Sequence, residues 1–432
     1  MAADSLDEQR WTPKGRATRE QIVESAELIL TDGYSAFNMD RVRRAASVSG
    51  SQLAHYFADK QALIRAVLVR QIDVVLDFHR SPQLHGLESF DDFERWIDLN
   101  MRYLRRIGYA GTPTFHALVG RLAKSGGPTR QTLGEAYWQW VALLEQGLQR
   151  MKEHGALVAD TEPRRLAMVI VGVHQGGGTV AYAYRQEWAH ADAVRFAVNY
   201  LRTFATDPAE RAPRPARRRR VAKVTQIDDD TVHFTRKGVE TRSRIIDAAA
   251  ELMFRHGVAG TSMDDLRSAA SVSGSQISHY FQGKRELTRR VIAKRRDDLI
   301  AFHTRPEFGA LADLGSLQAW ARACAADAET VYRRGGCNYG SLAGELLEAD
   351  DDVLDIVTTG YDQWLALFRD GVLAMRKRGD LRSDADPRHL TVALVVAHQG
   401  GAMVSHATND AEPMQAAVAA AADYVRSFVA KP

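Results

Sequence analysis

The segment AASVSGSQLAHYF, residues 45–57, recurs 224 positions later as AASVSGSQISHYF, residues 269–281. The two copies differ only by Leu or Ile and by Ala or Ser. In the first copy Ser49 and Gln52 have the spacing of a capping box, in which each side chain accepts a hydrogen bond from the other residue's backbone amide. Ser273 and Gln276 repeat this spacing. The segment therefore predicts the end of one helix, a turn at Ser47 and Val48, and the start of a second helix.

The second of these helices carries hydrogen-bonding side chains that can face base edges in a DNA major groove. In the first copy these are Ser51, Gln52 and His55. A generic amphipathic helix pair is the alternative interpretation. Two nearly identical copies favour helix-turn-helix motifs over that alternative.

Composition limits the remaining classes. The 432 residues include 57 Lys and Arg against 54 Asp and Glu, so contact with a polyanion has to come from local patches. The two cysteines, Cys324 and Cys337, form no metal-ligand pattern, as is usual in a reduced intracellular protein. The first thirty residues lack an apolar signal segment, and no apolar run suggests a membrane span. We expect a cytoplasmic protein without a metal, a cofactor or a membrane partner.

Each motif is preceded by a helix with a shared start, WTPKGRATR at 11–19 and FTRKGVETR at 234–242. The first copy is one residue shorter in this region. We expect Thr residues to cap this helix, Gly residues to end it, and Asn or Ser to open the next helix. The equivalent pairs are Thr18 and Thr241, Gly33 and Gly257, and Asn38 and Ser262.

After each motif follows the pattern Phe-x-x-Lys-x-x-Leu, with Lys60 and Lys284 at the start of a long helix. Free helix amides together with a cation favour a phosphate group. The alternative is a solvated surface lysine.

The duplication continues to the end of the chain. Matching positions include Trp140 and Trp364, Gly155 and Gly379, and His174-Gln-Gly-Gly and His398-Gln-Gly-Gly. Periodic apolar spacing predicts two all-α units of about nine helices each. The segment 207–235, which includes the basic run 217–220, reads as an extended linker. That basic run is expected either to be solvated or to touch DNA phosphates.

These motifs and their order resemble the tetracycline-repressor (TetR) family of transcriptional regulators. The resemblance implies a three-helix DNA-binding domain followed by a helical ligand-binding and dimerisation domain, twice in one chain. We expect DNA-binding domains at 11–64 and 234–288, regulatory domains at 65–206 and 289–430, and a linker at 207–233. The last two helices of each unit, about 162–204 and 386–429, would form the dimer interface, here within one chain as a pseudodimer. The resemblance also allows a homodimer of the fused chain.

By this resemblance, the expected base readers are Gln52, His55, Gln276 and His279, with Ser51 and Ser275 able to reach bases or phosphates. The expected phosphate contacts are Thr18, Tyr56, Lys60, Thr241, Tyr280 and Lys284, and Arg41 is a further DNA-contact candidate. His55 and His279 could instead simply face solvent.

Regulatory residues are less distinctive. Tyr137, Trp140, Tyr361 and Trp364 lie at matching helical positions and either line a pocket or belong to the core. His174 and His398 lie beside Gly pairs, where a core histidine at a close helix crossing is the alternative to a pocket donor. The segments around His116 and Asn338 differ between the units, so the two pockets need not bind the same molecule.

The resulting prediction is a regulator, expected to be a repressor, that binds double-stranded DNA and responds to a small-molecule effector. An enzyme using His174 or His398 as a base is a second hypothesis, but no nucleophile, metal or phosphate-loop motif accompanies them. A third hypothesis is a binding scaffold of the same fold that does not bind DNA. No catalytic residue is expected.

Overall fold

The structure, a computed structural model, describes residues 11–31, 37–109, 115–122, 124–215, 235–346 and 351–430. Within these ranges each unit contains nine α-helices, and the only bridges are two isolated antiparallel ones. In unit one the helices are α1 Pro13–Thr31, α2 Met39–Ala45, α3 Gly50–Tyr56, α4 Lys60–His79, α5 Phe90–Ile107, α6 Phe115–Leu122, α7 Gly127–Glu153, α8 Pro163–Tyr184 and α9 Trp188–Arg202. In unit two they are α10 Arg236–Gly260, α11 Met263–Ala270, α12 Gly274–Tyr280, α13 Lys284–His303, α14 Leu314–Asp327, α15 Asn338–Glu345, α16 Asp351–Arg378, α17 Pro387–Thr408 and α18 Glu412–Arg426. The helix α14 continues through a π-helical turn, Ala328–Tyr332, into a last turn at Arg333–Gly335.

The capping predictions hold for the motif helices. Ser49 and Ser273 cap α3 and α12 in complete capping boxes, and Ser262 forms a third box with Asp265 at α11. Asn38 caps α2 by accepting from the Arg41 amide. These are local interactions between residues three apart, which explains why the sequence pattern predicts them correctly.

The predicted ends of the first helix of each unit are only partly right. Thr18 and Thr241 do not cap α1 and α10, because those helices begin five residues earlier, at Pro13 and Arg236. Inside the helix each threonine hydroxyl donates to the carbonyl four residues before it. Gly257, with φ 75°, breaks the helical geometry near the end of α10 as predicted. Gly33 lies outside the described residues.

A Trp-His frame organises the core of each regulatory domain. In unit one the buried His79 accepts at Nε2 from the indole nitrogens of Trp96 (3.0 Å) and Trp140 (3.2 Å). In unit two His303 accepts from Trp364 at 3.0 Å. These frames join the long helices α4 and α7, and α13 and α16, so they hold the helix that leaves each DNA-binding domain against the rest of the bundle.

The two units pack through the last two helices of each, as expected. At the centre α8 crosses α17 at glycines: a Cβ on Gly400 would lie 1.7 Å from the Gly172 carbonyl oxygen. A Cβ on Gly176 would lie 2.1 Å from the Val396 carbonyl oxygen. The close helix crossing expected beside His174 and His398 is therefore present, and it joins the two units.

The helix α8 corrects one prediction. It is long and apolar enough to cross a membrane by composition, whereas no such run was expected. Its most apolar window is completely buried in the protein, because α8 packs against helices of both units. The start of the linker lies on this bundle, where Asn199 exchanges hydrogen bonds with the backbone of Arg214. The basic run 217–220 lies outside the described residues.

Candidate nucleic-acid interface and regulatory cavity

The motif helices α3 and α12 expose the predicted base readers. Ser51, Gln52 and His55 are exposed in unit one, as are Ser275, Gln276 and His279 in unit two. Leu53 and Ile277 are buried and anchor each helix to its domain. The outward faces therefore carry the polar side chains that the sequence pattern predicted, and their DNA contacts stay a prediction.

The capping boxes restrict what the glutamines can offer to a base. Gln52 Oε1 accepts from the Ser49 amide at 2.9 Å, and Gln276 Oε1 accepts from the Ser273 amide at 2.8 Å. A bidentate contact with adenine needs both ends of the amide. With the cap intact, each glutamine has its Nε2 group to donate, for example to a purine N7.

The surroundings of α3 include an aromatic contact. The Trp11 ring lies 5.0 Å from the His55 ring and 4.8 Å from the Tyr56 ring. The Arg16 guanidinium donates to the Trp11 carbonyl, which holds this residue against the motif. The equivalent of Trp11 in unit two, Phe234, lies outside the described residues.

The candidate phosphate contacts differ in how accessible they are. Lys60 and Lys284 begin α4 and α13, and burial lowers the pKa of both ammonium groups. Lys60 also donates to the Phe37 carbonyl at 2.9 Å. Thr18, Arg41, Tyr56 and Tyr280 are partly exposed. Thr241 is only 8% exposed, so its side chain would have to become more exposed before its hydroxyl could contact a phosphate.

Unit one contains a cavity of about 260 Å³ that is lined by residues of six helices, α4 to α9. The predicted residues His116, Trp140 and His174 line it, whereas Tyr137 is buried beside it without contributing to its wall. The sequence pattern did not indicate the other polar lining residues, which are Gln71, His79, Asn100, Tyr103, Arg106, Gln175, Tyr182 and His190.

Three histidines meet in the wall of this cavity. His116, His174 and His190 are buried, and one ring nitrogen of each lies within 4.8 Å of the others. Burial lowers the pKa of His116 to about 4 and that of His190 to about 3. Burial, followed by the neighbouring histidines, also lowers the pKa of His174. All three imidazoles are therefore neutral at neutral pH. Three such nitrogens could hold a metal ion, and the expectation of a chain without a bound metal stays a prediction.

This cluster could not be read from local spacing, because its members come from three helices. A signal exists in the comparison of the two units. At the offset of 224 residues, the positions equivalent to His116 and His190 carry Gly340 and Met414. Unit one thus has two histidines that unit two lacks.

The second unit has a different cavity of about 240 Å³. The predicted residues Asn338 and His398 line it, whereas Tyr361 and Trp364 do not. Tyr361 donates instead to Gln399, and Trp364 donates to His303, which makes both part of the core. The missed polar lining residues are Asp298, His303, Arg305, Asp327, Tyr332, Cys337 and Tyr339.

A buried contact connects the regulatory region to the second DNA-binding domain. Glu345, at the end of α15, accepts from the Val258 amide at 2.7 Å. Lys124 of unit one donates to the Gly335 carbonyl and lies near Glu345. Burial raises the pKa of Glu345 to about 7 and lowers that of Lys124 to about 8. Position 121, the equivalent of Glu345 in unit one, is an arginine.

Comparison with known families identifies both DNA-binding domains. A family model described as bacterial regulatory proteins of the tetR family matches residues 22–67 and 245–291. A model described as a tetracyclin repressor-like C-terminal domain matches residues 314–421.

Individual relatives agree with these matches. The chain is 22% identical over 174 residues to the HTH-type transcriptional repressor DhaR of Mycobacterium sp. (strain GP1), covering 40% of this chain and 86% of DhaR. It is 32% identical over 93 residues to the HTH-type transcriptional regulator SrpR of Pseudomonas putida, covering 22% of this chain and 40% of SrpR. Among solved structures, a TetR transcriptional regulator from Chloroflexus aurantiacus J-10-FL is 25% identical with a TM-score of 0.40, covering 45% of this chain and 98% of that one.

Proposed function

The chain is a TetR-family protein with two tandem units, and from this premise we propose that it is a ligand-responsive repressor of transcription. Both helix-turn-helix motifs of one chain bind one inverted-repeat operator, and a ligand in a regulatory cavity releases the DNA. It acts in the cytoplasm as a pseudodimer. The expected domain boundaries, 11–64, 65–206, 207–233, 234–288 and 289–430, are part of this proposal.

The observation that carries the proposal is that each unit exposes a motif helix while the two units share one buried interface. The helices α3 and α12 present the same Ser, Gln and His side chains. The units that carry them are joined through the glycine crossing of α8 and α17, where a Cβ on Gly176 or on Gly400 would clash with the backbone of the other unit. Such an interface favours a fixed spacing between the two motifs, which is what an operator with two half-sites requires.

The helix α4 supplies a route from the cavity to the first DNA-binding domain. Its N-terminal residue is the candidate phosphate contact Lys60, and its later turns carry Gln71 and His79 in the cavity wall. Arg70 ties α4 to α1 through an ion pair with Glu27 at 2.9 Å. A ligand that shifts α4 therefore moves the base of the first DNA-binding domain, and a rigid helix transmits such a shift over its whole length.

The contact between Glu345 and Val258 supplies a second route, from the interface between the units to the second DNA-binding domain. The helix α6, which carries His116, packs against α15 at Gly120 and Gly344, where an added Cβ would lie 2.2 Å from a carbonyl oxygen. A shift of α6 therefore reaches α15 and the end of α10. In this proposal one ligand site influences both half-sites.

The test combines a mobility shift with light scattering on the DNA adjoining the chain's own gene. We expect one chain to occupy one operator with two half-sites, with competition by random DNA being much weaker. If light scattering showed two chains in the free protein and two chains on each operator, the functional unit would be a homodimer of the fused chain and not a single-chain pseudodimer. Equal affinity for the adjoining DNA and random DNA would instead favour the scaffold hypothesis and contradict the proposal.

A further inference from the structure

We propose that His116, His174 and His190 bind a divalent transition-metal ion of the zinc, cobalt or nickel class, with a further coordination position open to the cavity. Metal binding itself does not depend on the proposed function. Its regulatory consequence, described below, rests on that function.

The hydrogen bonds of the cluster leave one nitrogen of each ring for a metal. The His174 Nε2 lies 2.9 Å from Asn100 Oδ1, and the Asn100 amide nitrogen donates to the Trp96 carbonyl, which fixes the orientation of the amide. The Nε2 group of His174 is therefore a donor, and its Nδ1, which has no hydrogen-bond partner, keeps a free lone pair. The His116 Nδ1 lies 2.6 Å from Gln175 Oε1, which leaves Nε2 as the lone pair of that ring.

His190 is the third proposed ligand, and its ring has no side-chain hydrogen bond to hold it. It is 1% exposed, and its ring contacts the backbone of His174, while neither ring nitrogen has a side-chain hydrogen-bond partner. A buried ring nitrogen without a partner is costly unless something binds it. The other two histidines show the arrangement common to metal sites, in which the second ring nitrogen donates to an oxygen that orients the ligand.

The ring positions suit one shared ion. The centroid distances are 5.1 Å between His116 and His174, 4.5 Å between His174 and His190, and 5.9 Å between His116 and His190. Bonds of about 2.0–2.1 Å from zinc to each nitrogen place tetrahedral ligand atoms about 3.3 Å apart. One nitrogen of each of the three rings lies within 4.8 Å of the other two, so small shifts of three side chains would complete the site.

The backbone leaves room for the rings. A Cβ on Gly178 would lie 2.5 Å from the His116 ring, so only glycine allows His116 to lie over α8. A Cβ on Gly177 would lie 2.3 Å from Ala193, and this close approach of α8 and α9 brings His190 next to His174.

The second unit lacks each of these features. Gly340 and Met414 replace two of the three histidines, and Ala402 replaces Gly178. Its remaining histidine, His398, has the Tyr332 hydroxyl at 2.9 Å from Nε2. Unit two is therefore an internal control for a site that belongs to unit one alone.

The cavity defines what the metal would hold at its open position. No carboxylate lies among the described residues that line it, so three neutral imidazoles leave the charge of the ion uncompensated. Arg106 adds a further positive charge to the same cavity. A hydroxide or a small anionic ligand suits this position, as in other sites with three histidines.

Metal binding would draw three helices together, since the ligands lie on α6, α8 and α9. The helix α6 contacts α15, whose Glu345 accepts from the Val258 amide of the second DNA-binding domain. We therefore infer that the ion changes operator binding.

The first experiment measures Co²⁺ uptake by untagged, chelator-treated protein in the absence of DNA. We expect one Co²⁺ per chain by equilibrium dialysis, with the intense visible absorption of tetrahedral cobalt. The double variant His116→Gly with His190→Met, which gives unit one the residues of unit two, should bind at least about 100-fold more weakly. His398→Ala, in unit two, should bind like the wild type.

Circular dichroism and thermal unfolding check that each variant is folded, and Asn100→Leu provides a second test if the double variant does not fold. That substitution keeps all three histidines, removes the orienting oxygen together with the amide's hydrogen bond to the Trp96 carbonyl, and should weaken binding by roughly 10–100-fold. The proposal is overturned if the wild type takes up no stoichiometric metal, or if the histidine variant binds as tightly. Co-purification of an organic molecule hydrogen-bonded to these histidines, without metal uptake, would also overturn it.

A mobility shift in the presence of chelator separates the two proposals. Specific DNA binding by the metal-free protein supports the proposed function whether or not Co²⁺ binds. Unchanged operator affinity on adding Co²⁺ to a protein that binds it would overturn the regulatory consequence alone.

Discussion

At the scale of single residues, Gln52 has two roles that a substitution can separate. Its Oε1 caps α3 by accepting from the Ser49 amide, and its Nε2 faces outward. Gln52→Glu keeps an acceptor for the cap and places a negative charge at a helix start, where it is favourable. The donor for a base edge is lost, however.

We therefore expect Gln52→Glu to leave thermal stability nearly unchanged and to weaken operator binding by roughly 1–3 kcal/mol. Thermal unfolding and a mobility shift measure the two effects. Gln52→Ala is the comparison, since it should lower both stability and binding. If Gln52→Glu bound the operator as tightly as the wild type, Gln52 would be a cap only.

A second prediction at this scale concerns His303, whose burial lowers its pKa from 6.5 to about 4. Its Nε2 accepts from Trp364, so the ring has to be neutral in the folded state. As pH falls through 6.5, the unfolded chain binds a proton that the folded chain does not, and the free energy of unfolding falls. The loss is complete below about pH 4. His303 should contribute up to about 1.4 kcal/mol per pH unit between these values.

The measurement is the pH dependence of urea unfolding of wild type and His303→Gln. The variant should have a smaller slope between pH 6.5 and 4, whatever its stability at pH 7. His154→Gln, at an exposed position, is measured alongside as the control for the substitution itself. Equal slopes for His303→Gln and the wild type would contradict the neutral, buried assignment.

At the scale of helices, two glycines at the crossing of α8 and α17, Gly172 and Gly176, should respond differently to substitution by alanine. A Cβ on Gly176 would lie 2.1 Å from the Val396 carbonyl oxygen, whereas a Cβ on Gly172 would meet nothing closer than 3.6 Å. Gly176→Ala should destabilise the protein by roughly 1–3 kcal/mol through overpacking. Gly172→Ala should be neutral, or stabilising by up to about 1 kcal/mol through helix propensity. Urea unfolding of the two variants checks this, and equal effects would mean that the crossing is not tight.

The elements also show which features a sequence can predict. Capping boxes and the motif turns depend on residues within four positions, so Ser49, Ser262 and Ser273 were assigned correctly. Thr18 and Thr241 were assigned wrongly because the polar residues before them allow the helix to begin earlier. The wall of the unit-one cavity depends on how six helices meet. Trp140 and Trp364 have the same spacing in sequence, yet only Trp140 lines a cavity.

At the scale of the whole molecule, fusion allows the two halves to differ, which a homodimer cannot do because every change appears twice. The proposed readers are the same in both units, but their surroundings are not. Trp11 packs on the motif of unit one. Unit two has Gly283, with φ 91°, at the position where Asp59 caps α4. The contact of Glu345 with Val258 occurs in unit two, and an arginine, Arg121, occupies the position equivalent to Glu345 in unit one.

These differences predict an operator whose two half-sites are nearly the same but are bound with unequal strength. Identical readers select the same bases, whereas the differing surroundings alter how firmly each motif is held and how it meets the DNA backbone.

The test disables one motif at a time, with Gln52→Ala plus His55→Ala, and then with Gln276→Ala plus His279→Ala. On a symmetrised operator the two variants should lose different amounts of affinity, measured by titration at constant salt because phosphate contacts are salt-dependent. Equal losses would contradict the asymmetry, and a selected operator with unrelated half-sites would contradict the shared readers. If the half-sites are alike and the losses differ, an asymmetric protein binds a symmetric operator. A ligand that acts through unit one can then release the two half-sites one after the other.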